Sequence, residues 1–280
     1  MTYGQYKEKE LIVIDRVITK KQNNKEDSIE MSLFIPPPKE EWVNRALLHM
    51  GYPDLTAINP DISAQTHDIC ERVGEVAAPG YIFKSDVITN MDKKTFSTSH
   101  LMIRSKNWAA IAAEASAPTQ VCCFGLTLGH DIEREIASFE KRSLVQGYIW
   151  DALCSTLAEY YADQAEQFIG DHYAQQNFLI SRRFSPGYCD LPFEESQRAV
   201  FSFCDMTAIG VTRVSSGLMV PRKSVTAMVL ASESLPVPFP CSFCRTPCRY
   251  RRSASDERVK RQGSRCRVIP GKVGIHARVS

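Results

Sequence analysis

The stretch LVQGYIWDALCSTLAEYYADQAEQFI, residues 144–169, repeats apolar side chains at three- and four-residue spacing through Val145, Ile149, Ala152 or Leu153, Thr156 or Leu157, and Tyr160. That period predicts a long amphipathic helix, with one apolar face that other elements must cover. Around it the pattern is mixed. Residues 11–18 and the alternating SIEMSLF (28–34) predict a hairpin joined by the polar KKQNNKED. KEEWVNRALLHMG (39–51) predicts a helix with Pro38 in its first turn, Glu40 and Glu41 near its positive end and Gly51 as its stop. YIFKSDVI (81–88) and SHLMI (99–103) read as strands, SKNWAAIAAEA (105–115) as a helix capped by Ser105, and TQVCCFGLTLG (119–129) as a buried strand closing on a glycine turn. After the long helix come a strand-like NFLIS (177–181), a helix at FEESQRAVFSFC (193–204) and two β-rich runs within 208–232, separated by SSGLMVPRKS. Helices and strands do not alternate as βαβ units.

A chain of 280 residues with 44% hydrophobic content can build one large domain or two small ones around a real core. The apolar run at 11–14 is broken by Asp15 and Arg16. It is too short for a signal peptide or a membrane span, so a cytoplasmic protein with no membrane partner is expected. Ten cysteines in that compartment read as metal or redox ligands where they cluster and as small buried hydrophobes where they scatter. The net charge of +2 hides a basic tail from Arg245 onward, with only Asp256 and Glu257 opposing it. Such a tail can meet nucleic acid or an acidic partner, but a solvated, disordered extension is the favoured reading. The lack of aromatic interleaving in RYRRSASDERVKRQGSRCR counts against nucleic acid.

The stretch SRRFSPGYCDLP (181–192) packs an arginine, a Pro-Gly step and a tyrosine into one turn. Arginine offers a planar fork of donors for a carboxylate, glycine lets backbone approach a ligand, and tyrosine adds a ring and a hydroxyl. A small zwitterionic or nucleoside ligand suits that set. On composition alone, a Pro-Gly turn with a packed tyrosine suits it equally and is the more common occurrence.

The order of segments adds a resemblance. Arg183, Pro186, Gly187, Tyr188 and Pro192, followed by Ile209, Gly210, Met219, Pro221, Ser224 and Val225, resemble the R-x-x-P-G-Y loop, I-G strand and M-x-P-x-x-S-V segment of the activation (reactivation) domain of cobalamin-dependent methionine synthase. The L-A-E step of the long helix is similar as well, and the resemblance spans roughly 127–232. A departure is ASESLPVPFPC, which stands where that domain has tyrosines after its S-V strand. The resemblance implies an α+β fold, a twisted and mainly antiparallel sheet flanked by helices. It divides the chain into an activation-like domain, 1–236, and a Cys-containing basic tail, 237–280. It also implies binding of S-adenosylmethionine by Glu159, Arg183, Pro186, Gly187 and Tyr188, with the arginine on the methionine carboxylate. Residue spacing agrees for Glu159: seven residues after Ala152, it returns to the apolar face, where a carboxylate needs a cationic partner. Lys223 is typical of stand-alone relatives and is assigned no chemical role.

The implied function is reactivation of a partner's inactive Co(II) corrinoid by methylation from S-adenosylmethionine, with an electron from a separate donor. The partners implied are a corrinoid-binding protein, its methyltransferase and that electron donor. The chain has no D-x-H-x-x-G corrinoid motif, no G-x-G-x-x-G loop and no P-loop lysine, so the corrinoid is expected to come on the partner. The six histidines are dispersed and form no nucleophile–base arrangement. Cys241, Cys244 and Cys248 stand in C-x-x-C-x-x-x-C spacing, with Cys266 or Cys189 as candidates for a fourth ligand. The spacing leaves an iron–sulfur cluster, a zinc ion and no metal equally open. The alternative function is a non-catalytic corrinoid-protein adaptor or chaperone with a structural metal site.

Overall fold

The strand Gln120–Thr127 (β5) lies at the centre of the computed structural model, which describes residues 34–116 and 118–235. It pairs antiparallel along its full length with Gly80–Val87 (β1) on one side and Ser224–Ser232 (β9) on the other. Leu179–Ile180 (β6) adds a short fourth strand beside β9, giving the order β1-β5-β9-β6 with every pairing antiparallel. The α+β architecture expected from the resemblance is the one observed.

Period-two alternation then divides the core. β5 sends Cys122, Phe124 and Leu126 to one face, with Tyr81 and Phe83 of β1 and Val225, Ala227 and Val229 of β9. Val121 and Cys123 point to the other face, with Ile82, Met228 and Leu230. All nine residues of β9 are buried, because both faces of this antiparallel sheet are covered. That double burial is why β5 and β9 read as nearly continuous apolar runs.

The first face carries four helices: Lys39–His49 (α1), Pro60–Val76 (α2), His130–Arg142 (α4) and Leu144–Ala174 (α5). The second carries Lys106–Glu114 (α3), Phe193–Phe203 (α6) and a three-stranded meander of Asn90–Met91 (β2), Thr95–Ser97 (β3) and Met102–Arg104 (β4). A two-residue hairpin, Thr212–Arg213 (β7) with Met219–Val220 (β8), precedes β9. Ser105 caps α3 as expected, its Oγ accepting from Trp108 N at 3.1 Å.

Two helices were not foreseen. α2 begins at Asn59-Pro60, a capping side chain followed by proline at the first helical position, and α4 begins with acids and ends with Lys141 and Arg142. α5 also differs from expectation. It packs against α1, α2 and α4 on one side and the sheet on the other, so buried residues occupy consecutive positions, 152–155, rather than a single stripe. Val145, expected in the apolar face, is half-exposed at the helix start. A helix buried on most of its circumference cannot show a clean amphipathic period. The expected hairpin at 11–18 and 28–34 lies outside the described residues except for Phe34, which packs against Tyr81, Tyr161 and Phe168.

Candidate functional site

Three acids stand one turn apart on α5: Glu159, Asp163 and Glu166, at i, i+4 and i+7, which places them on one face of the helix. The chain leaves α5, pairs as β6 with β9, and returns across that face. Ser181 N donates to Leu230 O at 2.8 Å, and Phe184 exchanges bonds with Met228 at 2.9 Å in each direction. Between these anchors lie Arg182 and Arg183. The Arg183 guanidinium donates through Nη1 to Asp163 at 2.5 Å and to Glu166 at 2.7 Å, and through Nη2 to Glu159 at 2.9 Å. Its backbone N–H adds a bond to Glu166 at 3.1 Å, and Arg182 Nε lies 3.6 Å from the same carboxylate.

Burial gives this cluster its character. The Glu166 side chain has no exposure and that of Arg183 only 7%. Burial alone would lower the Arg183 pKa, but Glu166, Asp163 and Glu159 together more than offset it, and the guanidinium is held even more firmly protonated than usual. Burial pushes the Asp163 carboxyl up, against the pull of Arg183. The cluster brings three acids and two arginines together. Arg183 has committed three of its five N–H donors to carboxylates, leaving two for any ligand carboxylate.

The loop turns immediately beyond. Tyr188 N donates to Ser185 O at 3.1 Å, with Pro186 and Gly187 at the two central positions and Gly187 at φ 88°. That is the chemistry of a type II turn, in which proline presets the first central residue and glycine takes the left-handed second. Pro186 is buried, whereas Gly187 and Tyr188 face outward, the tyrosine 41% exposed. The far end of the loop is tied to α3. Asp190 Oδ1 accepts from Ser105 Oγ at 2.5 Å, and Oδ2 accepts from Lys106 N at 2.6 Å and Asn107 N at 3.2 Å, satisfying the first turn of that helix.

Of the five residues named from sequence, Glu159 and Arg183 are in direct contact, and Pro186, Gly187 and Tyr188 form the turn that follows. The cationic partner that Glu159 required is Arg183 itself. Asp163, Glu166, Arg182 and Asp190 were missed, although the i, i+4, i+7 spacing of acids on an otherwise apolar helix was a readable signal. Lys223 is a structural tie: its Nζ meets Asp151 Oδ1 at 2.6 Å and Ser155 Oγ at 2.8 Å. Five of the six described cysteines are buried, as scattered small hydrophobes should be, and Cys189 is exposed. Cys241, Cys244 and Cys248 lie outside the described residues, among which no group of three or more His, Cys, Asp and Glu could hold a metal ion. None of the described helices is long and apolar enough to cross a membrane.

Comparison with known proteins follows the same segments. Residues 110–236 match the family model of the vitamin B12 dependent methionine synthase activation domain, a span that takes in β5, α4, α5, the 183–188 loop, α6 and β9. Among solved structures, the crystal structure of the MetH reactivation domain bound to AdoHcy superimposes with a TM-score of 0.52 at 12% identity, covering 71% of this chain and 78% of that one. At that identity the likeness establishes a shared fold. No curated protein matches the chain. Sequence segment and fold agree: residues 110–236 carry the match to the vitamin B12 dependent methionine synthase activation domain, and the described fold is similar to that of the MetH reactivation domain.

Proposed function

We propose that the protein binds S-adenosylmethionine against α5 and the 183–188 loop and serves to return the inactive corrinoid of a partner protein to its methylated form. The observation that carries the reading is the seating of the R-x-x-P-G-Y loop, which lies within the segment matching the family model, on the acidic face of α5, where Arg183 and Glu159 meet. In this assignment Glu159 faces the positive end of the ligand, the remaining Arg183 donors take its carboxylate, and Gly187 and Tyr188 line it with backbone and ring. The reaction passes a methyl group from the sulfonium sulfur to cobalt reduced by one electron from a separate donor, leaving S-adenosylhomocysteine. Such a step needs no general base. What the protein supplies is binding, orientation and a contact surface.

Calorimetric titration with S-adenosylmethionine tests the site. The wild type is expected to bind, Glu159→Gln to weaken binding at least tenfold, and S-adenosylhomocysteine, which lacks the sulfonium charge, to lose less from the same substitution. Arg183→Ala is a poor probe, because it removes the partner of three carboxylates along with any ligand contact. The commitment of Arg183 to those carboxylates favours a second reading, in which the same fold acts as a non-catalytic adaptor for a corrinoid protein. Absence of S-adenosylmethionine binding by the wild type would refute the first reading and leave the second.

A further inference from the structure

Phe193, the first residue of α6, stands between two loops that are distant in sequence. A Cβ built on Gly187 would lie 3.4 Å from its Cδ2, and one built on Gly217 would lie 2.9 Å from its Cε1. Both glycines have φ of 88°. The ring therefore rests against two bare backbones, one in the Pro-Gly turn and one in the turn of the β7–β8 hairpin. That hairpin is otherwise slight. Its two strands are two residues each, and its turn is closed by Val214 N to Leu218 O and Gly217 N to Val214 O, both at 2.9 Å. A hairpin of this size has little stability of its own, and a ring wedged against its turn ties it to the rest of the fold.

We propose that Phe193 is a positioning residue for the 183–188 loop: its ring couples the Gly187-Tyr188 backbone to the β7–β8 hairpin, so that the loop's outward-facing edge keeps one conformation. Only glycine permits the contact on either side, since a side chain at Gly217 would press into the ring and any L residue at these φ values is strained. Phe193 is 40% exposed, so truncating it leaves the main core intact and its effect local. The consequence for S-adenosylmethionine binding rests on the proposed function, whereas the coupling itself does not.

Amide hydrogen exchange in the full chain reads the coupling directly. Phe193→Ala is expected to speed exchange at Gly187 and Tyr188 by tenfold or more, and Gly217→Ala to do so from the hairpin side, while Phe193→Leu, which refills most of the gap, restores protection. Gly51→Ala is the control: that glycine has φ of 97° with nothing within 4 Å, so it carries the same backbone strain without touching the loop. Phe193→Ala should also weaken S-adenosylmethionine binding about tenfold, with Phe193→Leu close to wild type. Unchanged exchange in Phe193→Ala and Gly217→Ala overturns the coupling. Faster exchange with unchanged binding overturns the positioning role. Faster exchange in a protein whose wild type binds no S-adenosylmethionine upholds the coupling and refutes the proposed function instead.

Discussion

Replacing Arg183 with methionine keeps much of the side-chain length and removes the charge, which isolates what the guanidinium does for the three acids of α5. Its loss strands Asp163, whose side chain is 9% exposed, leaves Glu159, at 17%, with some access to water, and leaves the fully buried Glu166 with Arg182 at 3.6 Å and the residue-183 backbone N–H. Stranding a buried charge typically costs about 3–5 kcal/mol. Protonation sets a ceiling, because a carboxylate left without a partner can take up a proton. From the ordinary Asp value of 3.8, neutralising one carboxylate costs about 4 kcal/mol at pH 7 and about 2 kcal/mol at pH 5, at 1.36 kcal/mol per unit. The sign follows from linkage. Burial already holds the Asp163 carboxyl above its ordinary value, and losing the opposing pull of Arg183 raises it further, so the variant fares best at low pH and loses stability against the wild type as pH rises from the ordinary Asp value. With a urea m-value of roughly 2 kcal/mol/M, the unfolding midpoint of Arg183→Met should fall by about 2 M at pH 7 and about 1 M at pH 5. Equilibrium urea unfolding, followed by circular dichroism and tryptophan fluorescence to check for a single transition, measures both. A deficit below about 1 kcal/mol at pH 7, or one that does not change between the two pH values, would refute the view that Arg183 balances buried charge.

Asp163→Asn removes a carboxyl that burial already holds above its ordinary value. The wild type should therefore lose stability relative to this variant as pH rises from the ordinary Asp value toward neutrality, a trend that paired unfolding curves resolve. Asp190→Ala strips the first turn of α3 of its acceptor and should cost about 1–2 kcal/mol, with faster amide exchange at Lys106 and Asn107. Burial pushes the Cys70 thiol up to about 12, so Cys70→Ser should leave the number of thiols labelled in the native state at pH 8 unchanged, while Cys189→Ser lowers it by one.

The parts of the fold that were legible in sequence are those with a local cause. Pro38 and Glu40 start α1, Ser105 caps α3, and the continuous apolar run of β5 marks a strand covered on both faces. The shape of α5 was not legible in the same way, because its side chains satisfy two layers at once and its period reports neither cleanly. The site shows the same division. The Pro186-Gly187 turn is written in residue types that leave the backbone few alternatives, and it forms where expected. Arg183 is different. Composition offered it a ligand carboxylate, since nothing in the local sequence showed that three protein carboxylates would arrive first. That competition is tertiary: it depends on β6 pairing with β9 and thereby laying residues 182 and 183 across the α5 face. A stripe of Glu159, Asp163 and Glu166 along one side of an apolar helix does carry the information, because three ionised carboxylates are costly to bury together without cations between them. Read as a unit, that stripe demands a basic segment returning over the helix. Arg182-Arg183 comes next after the helix ends, so the charge cluster and the loop path are two statements of one constraint.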